Sequence, residues 1–363
     1  MVRNCNLLGA TFDGLRIESS DGFTVENSRA ISNGGRGIIL QYSQAGYLRN
    51  NLVYANASWG IDIENSTASD PQPPLSTGHV LAFNTIAYNG VNEGGGLRLK
   101  NATGEVRDSI IADNTGVGLR LDPAGTAVRN ILVYGNDTDL LPADYAIGGG
   151  FVAGAPRFVD PSGADSIVGG PSSWADDDFT LDPSASPAID AGSGTVGERD
   201  IDGSTRSDLA PDTGIADLGF HADAGPGAGP PSVPILVATY HVAPHGDDGR
   251  TRLMAQDPNH PWASIDRALN SGVQPGDIIA AAAGTYVVSA LASTTTDQTL
   301  LGAPGAILQT LDATMLGLSI DHSGFRLEGW RIEGSREGVR ITDSTDVLPV
   351  SYTHLTLPTI CSV

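Results

Sequence analysis

Five times in its first 121 residues the chain repeats the tetrapeptide Gly–apolar–x–apolar. The copies are Gly14-Leu15-Arg16-Ile17, Gly37-Ile38-Ile39-Leu40, Gly60-Ile61-Asp62-Ile63, Gly96-Leu97-Arg98-Leu99 and Gly118-Leu119-Arg120-Leu121, at intervals of 23, 23, 36 and 22 residues. An Asn-bounded apolar segment runs alongside, as in Asn51-Leu52-Val53-Tyr54-Ala55-Asn56, Asn84-Thr85-Ile86-Ala87-Tyr88-Asn89 and Asn130-Ile131-Leu132-Val133-Tyr134-Gly135-Asn136. Self-similarity at a nearly fixed period means stacked units that bury their apolar faces against each other.

Each unit holds two or three short segments in which apolar residues alternate with others, the pattern of a strand with one buried face. Gly and Asn accept positive φ and turn the corners between strands. A βαβ unit needs about 30 residues, so these repeats are too short for one. A single coil of a parallel β-helix fits. The leucine-rich repeat, the competing solenoid, is excluded because its Leu-x-x-Leu-x-Leu signature is absent. The inward column is then Leu15/Ile17, Ile38/Leu40, Ile61/Ile63, Leu97/Leu99 and Leu119/Leu121. Asn27, Asn51, Asn84 and Asn130 are expected to form a ladder at one corner, bonding to turn backbone.

On these residues the chain resembles the right-handed parallel β-helix repeats of the pectin lyase-like superfamily, including those of the periplasmic copper-site assembly family. The resemblance implies an all-β solenoid, exported from the cell, whose outer strand faces often handle polysaccharide.

The organisation reads as two such solenoids in tandem. Residues 1–149 are coils, with an insertion at Ser66–Thr77, and 150–221 form a closing segment. Residues 222–235 are a Pro/Gly/Ala linker. Residues 236–349 then read as the entry segment and first coils of a second solenoid, with Gly317-Leu318-Ser319-Ile320 and Gly338-Val339-Arg340-Ile341 spaced 21 residues apart. Trp262, Ile265, Ala268 and Leu269 lie at helical spacing and predict a short helix over the open end. Residues 350–363 look like a translated sequencing adapter and are set aside as a scar. The first block begins in mid-solenoid, so the chain reads as truncated at both ends and offers no visible signal peptide.

Composition narrows the function classes. A net charge of −22 and a pI near 4.4 exclude nucleic acid or an anionic membrane as a general partner. No run reaches the roughly 20 apolar residues of a membrane span. Cys361 falls in the set-aside tail and Cys5 stands alone, which excludes a disulfide framework or thiolate metal site. A monomer is expected.

The residue between the two inward aliphatics of each repeat must point outward. That column reads Arg16, Ile39, Asp62, Arg98 and Arg120, with Glu64, Lys100 and Asp122 at the next outward position and Trp59 just before a repeat glycine. Neighbouring coils sit about 4.8 Å apart, which makes Asp62 and Arg98 neighbours, and likewise Glu64 and Lys100. Two readings attach to this strip. The commoner is a ladder of opposite charges that weakly supports adjacent strands. The sharper is a sugar groove: Asp62, Arg98 and Lys100 as catalytic groups, with Trp59, Glu64, Arg120 and Arg16 binding substrate through stacking and charge. The superfamily's polysaccharide lyases use an Arg or Lys base beside Ca²⁺-binding acids, so the residue types suit a lyase, an epimerase or a hydrolase. No metal ligand set is assigned, and Ca²⁺ is the one cofactor the residues bring into question. Ca²⁺ would be the ion for the acidic Gly turns at Asp200–Gly203 and Gly246–Gly249, which more often are plain Asx turns. The function expected is a secreted or cell-surface β-helix that binds, and in one version cleaves, polysaccharide. The alternative is a non-catalytic adhesion or spacer module.

Overall fold

The computed structural model describes residues 1–65, 76–122, 125–143, 145, 147–170, 173–222 and 236–345. Most of the expected insertion, nearly all of the linker and the adapter-like tail lie outside these residues.

Short strands of alternating burial wind into coils, and every coil pairs in parallel with the next. On the first face the pairing runs through Leu291–Ser293, Leu316–Ile320, Glu337–Thr342, Leu15–Glu18, Ile38–Gln41, Ile61–Glu64, Gly95–Lys100, Val117–Asp122 and Thr138–Leu141. The repeat residues stack in register, Leu15 on Ile38 on Ile61 on Leu97 on Leu119, and all five are fully buried. The second face includes Arg326–Glu328, Val2–Arg3, Thr24–Glu26 and Tyr47–Arg49. The third includes Arg331–Glu333, Asn6–Leu8, Arg29–Ile31 and Leu52–Tyr54.

This order corrects the expectation of two solenoids in tandem. Residues 240–345 stack directly under residue 1 on all three faces. Leu327 pairs with Val2, Ile332 with Leu7, and Val339 with Leu15. One aliphatic cluster runs through both blocks, from Tyr240 and Trp262 to Ile131 and Val133. The physical reason is that a parallel coil offers the same strand edges and the same aliphatic plug to any matching neighbour. Sequence order does not dictate stacking order. At the entry end, Ser264 caps the helix Ile265–Asn270, which buries Ile265, Ala268 and Leu269, while Trp262 stacks on Tyr240 at 5.2 Å.

Corners require left-handed backbone. Asn4, Asn27, Asn50, Phe83, Asp108 and Asn130 hold φ between 46° and 56° at one corner of successive coils. Asn27 and Asn130 therefore occupy the turn itself and not the ladder. The ladder is doubled, and of the four expected members Asn51 and Asn84 belong to it. Ser28, Asn51, Asn84 and Ser109 form one column. Asn33, Asn56, Asn89, Asn114 and Asn136 form the other, each amide nitrogen donating to the next residue's Oδ1 at 2.8–3.0 Å.

The segment from Phe151 to Ala222 does not plug the end of the stack. It runs back along the third face, whose outward residues Leu8, Ile31, Leu52, Tyr54, Ile110 and Leu132 are apolar and need cover. Phe158, Phe179, Leu181 and Leu218 supply it. Gly219 donates to the Asp108 carbonyl, Phe220 to Thr85 Oγ1 and His221 to Asn50 Oδ1, each step one coil further back.

Candidate functional site

The first face carries the outward strip. Period-two alternation puts Arg340, Arg16, Ile39, Asp62, Arg98 and Arg120 in one column, and Thr342, Glu18, Gln41, Glu64, Lys100 and Asp122 in the next. Asp62 and Arg98 are direct neighbours, as the repeat spacing requires.

Their geometry is closed. Arg98 grips Asp62 with two bonds of 2.7 Å and reaches Glu64 at 2.8 Å. Arg36 adds a third bond to Asp62 at 3.1 Å, and Gln41 donates to Glu64 at 2.7 Å. Asp62 is fully buried, and Trp59 is only 7% exposed beneath the Arg98 guanidinium, 5.3 Å from its ring centre. Trp59 thus serves as the bed of Arg98, and its covered face is not open to a sugar ring. Burial pushes the Asp62 carboxyl upward, while Arg98 pulls it back. Burial opposes the charge on Arg98, but its bonds to Asp62 and its field from Glu64 outweigh that and hold the guanidinium above its ordinary range. Removing Arg98 alone would leave a buried carboxylate short of its main partner, a loss of about 3–5 kcal/mol.

Arg16 belongs to a second knot. It donates to Asp13 at 2.6 Å, to Glu18 at 2.8 Å and to Gln41 at 2.5 Å, and lies 3.7 Å from Glu337. Arg340 binds the same Glu337 twice. Sequence reading missed Asp13, Arg36, Gln41, Glu337 and Arg340. Asp13 and Arg36 sit in turns before a repeat glycine, where alternation says nothing. Glu337 and Arg340 come from a block that sequence order placed in another solenoid.

Beyond Arg98 the network opens. Lys100 makes no ion pair among the described residues. Arg120 approaches Asp122 only at 3.6 Å, with side chains 40% and 56% exposed. The strip thus has a saturated middle and a loosely paired cationic end.

The acidic Gly turns resolve as ordinary structure. Asp200 is the left-handed cap of the short helix Val196–Arg199. Asp247 accepts from Gly249, and Asp248 from Ala263 and Ser264. Among the described residues one group could hold a metal: Asp190, Asp212 and Asp217, with one oxygen each within 4.8 Å of the others. Its oxygens already serve the closing segment, since Asp217 accepts from Thr205 and the Asp190 amide, and Asp212 accepts from the Asp217 amide. The Cys5 thiol is buried in the inner stack, which pushes it up to about 12 and leaves it inert as a ligand.

Residues 11–138 match a family described as periplasmic copper-binding protein (NosD). A search of curated proteins finds no match. Among solved structures, one similar chain is the PL6 family alginate lyase AlyGC, 12% identical with a TM-score of 0.24. The likeness covers 90% of this chain and 46% of that one, so the chain spans about half the length of the structure it matches. No helix among the described residues is long and apolar enough to cross a membrane.

Proposed function

We propose that this parallel β-helix chain binds an acidic polysaccharide along its first outward face, as part of a secreted or cell-surface protein. The observation that carries this reading is the open end of the strip. Lys100 and Arg120 present cations on adjacent coils, while the chain as a whole carries −22. A uronate carboxylate would find there donors that the protein has not already satisfied. The saturated knot around Asp62 holds the strip rigid, so little order is lost when a polymer settles on it.

Binding without cleavage is the version the geometry supports best. Asp62 and Arg98 are committed to each other, and neither exchanges a proton without breaking that pair. In a cleaving version Lys100 would be the group to accept the proton, with Arg98 and Glu64 positioning it and Arg16 outside the reach of that step. The match to a family described as periplasmic supports a place outside the cytoplasm. Its copper is not carried over, because the grouped donors among the described residues are carboxylates, which suit a hard cation.

The test is retention of the protein on immobilised pectate, alginate and neutral glycans, with the ultraviolet absorbance of unsaturated sugar ends followed in parallel. Retention is expected on the acidic polymers alone, weakening as salt rises and lost in the Lys100→Ala/Arg120→Ala double variant. Retention only on neutral glycans, or unchanged in the double variant, would sink the reading. A rising absorbance would add cleavage to binding.

A further inference from the structure

The joint between residues 240–345 and the first coil, residues 1–21, is built like an interface between two molecules. Its sides are unlike surfaces, the upper edge of coil 326–345 and the lower edge of coil 1–21. Three strand pairs cross it, Leu327 on Val2, Ile332 on Leu7 and Val339 on Leu15, and all six side chains are buried. Backbone bonds run both ways. Leu327 donates to the Met1 carbonyl at 2.9 Å, Asn6 to Trp330 at 2.8 Å and Val339 to Gly14 at 3.0 Å. Polar side chains match as well: Arg16 Nε lies 3.7 Å from Glu337, and Asn4 Nδ2 donates to Glu328 at 3.3 Å. The far end of the lower block is lidded by the helix Ile265–Asn270, which gives the docking one direction.

Along the chain the two blocks are joined through residues 223–235. The upper anchor is the level of Asn50, whose Oδ1 accepts from the His221 amide. On the second face six parallel pairings separate Tyr47–Arg49 from Tyr240–Val242, a descent of about 29 Å at about 4.8 Å each. The chain from Ala222 to Tyr240 reaches at most about 63 Å, so one molecule can close its own joint. A tether of this kind holds its ends at an effective concentration on the order of millimolar, and the closed monomer prevails well below that.

We infer that the same joint accepts a second copy of this chain, with residues 240–345 of one copy seated under residues 1–21 of the other. Strand edges, aliphatic plug and charges are identical whichever molecule supplies them. Reciprocal exchange of the two blocks closes a two-fold dimer, although each joint brings unlike surfaces together. The outward strip then becomes composite, Arg16 of one copy meeting Glu337 and Arg340 of the other. The inference rests on strand pairing and is independent of what the strip binds.

Deleting residues 224–235 from the full chain tests it. From Ala222 to Tyr240 the shortened chain reaches only about 21 Å, too little for the descent, and cannot close its own joint. Size separation with light scattering is expected to give the wild type the mass of one chain and the deletion variant twice that mass. Amide hydrogen exchange read by mass spectrometry reports on the joint itself. The amides of Asn6, Leu327 and Val339 are expected to be as protected in the variant as in the wild type, because each is bonded across the joint. Longer head-to-tail chains with the same protection would also support exchange. A variant with the mass of a single chain, or one of any mass whose three amides exchange freely, would overturn the inference.

Discussion

Period-two alternation made single-residue placement legible on the first face. Leu97 and Leu99 had to point in and Arg98 out, and they do. What alternation could not reveal is a buried polar group away from that face, and His79 is the clearest case. Its Nδ1 accepts from the Gly46 amide at 3.2 Å, which fixes the proton on Nε2, 2.7 Å from Ser76 Oγ. Burial pulls this imidazole from 6.5 down to about 4. Between those values the unfolded chain binds a proton that folded His79 refuses, so stability falls as pH drops from 6.5 and levels off below about 4. The full span is worth at most about 3 kcal/mol. Urea midpoints measured across that window are expected to slope less in His79→Gln than in the wild type. Identical slopes would show that His79 is not the group involved.

At the scale of elements, strands were easier to read than corners. Gly and Asn mark turns by propensity, yet Phe83 holds φ of 56° at the corner it shares with Asn50, and Ala55 and Tyr88 hold 56° and 55° at the corner that follows the third face. The stack imposes that conformation on whatever residue arrives there, and the neighbouring coils supply the compensation. One source of it is the Asn33–Asn136 ladder, whose members Asn56, Asn89 and Asn136 close the Asn-bounded segments of the sequence, two residues beyond a strand of the third face. Within it Asn89 is fully buried. Its Oδ1 accepts from the amide and side chain of Asn56, and its Nδ2 donates to the carbonyls of Val53 and Ala87. Asn89→Ala strands several of these groups at once and is expected to cost about 3 kcal/mol or more. Asn136, at the solvent-exposed end of the same ladder, is expected to cost about 1 kcal/mol when replaced by Ala, because water can serve its partners. Chemical denaturation of the two variants makes the comparison. Equal losses would mean the ladder is not cooperative in the way its burial suggests.

The whole molecule is where sequence order misled. Two blocks with the same repeat looked like two solenoids, while the strand pairing makes them one stack with a shared core. Leu7 sits at the seam, between Ile332 on one side and Ala30 on the other, and is 1% exposed. An Asp there buries an unpaired charge in the joint. Calorimetry of the wild type is therefore expected to show residues 240–345 melting together with residues 1–222, and Leu7→Asp to lower the stability of both. A separate transition for residues 240–345, unmoved by that substitution, would restore the tandem arrangement.

The function assigned to the strip can be read at one atom, because Lys100 is the sole lysine of the chain. An amine-reactive reagent, followed by mass spectrometry, reports the accessibility of that side chain alone, apart from the terminal amine that bonds to the Phe325 carbonyl. The measurement is the labelling rate of Lys100 with and without a saturating acidic oligouronate. If the polymer lies along the first face, labelling slows several-fold with the oligouronate and stays unchanged with a neutral oligosaccharide of the same length. Binding of the oligouronate that leaves the Lys100 rate untouched would contradict the strip as its site.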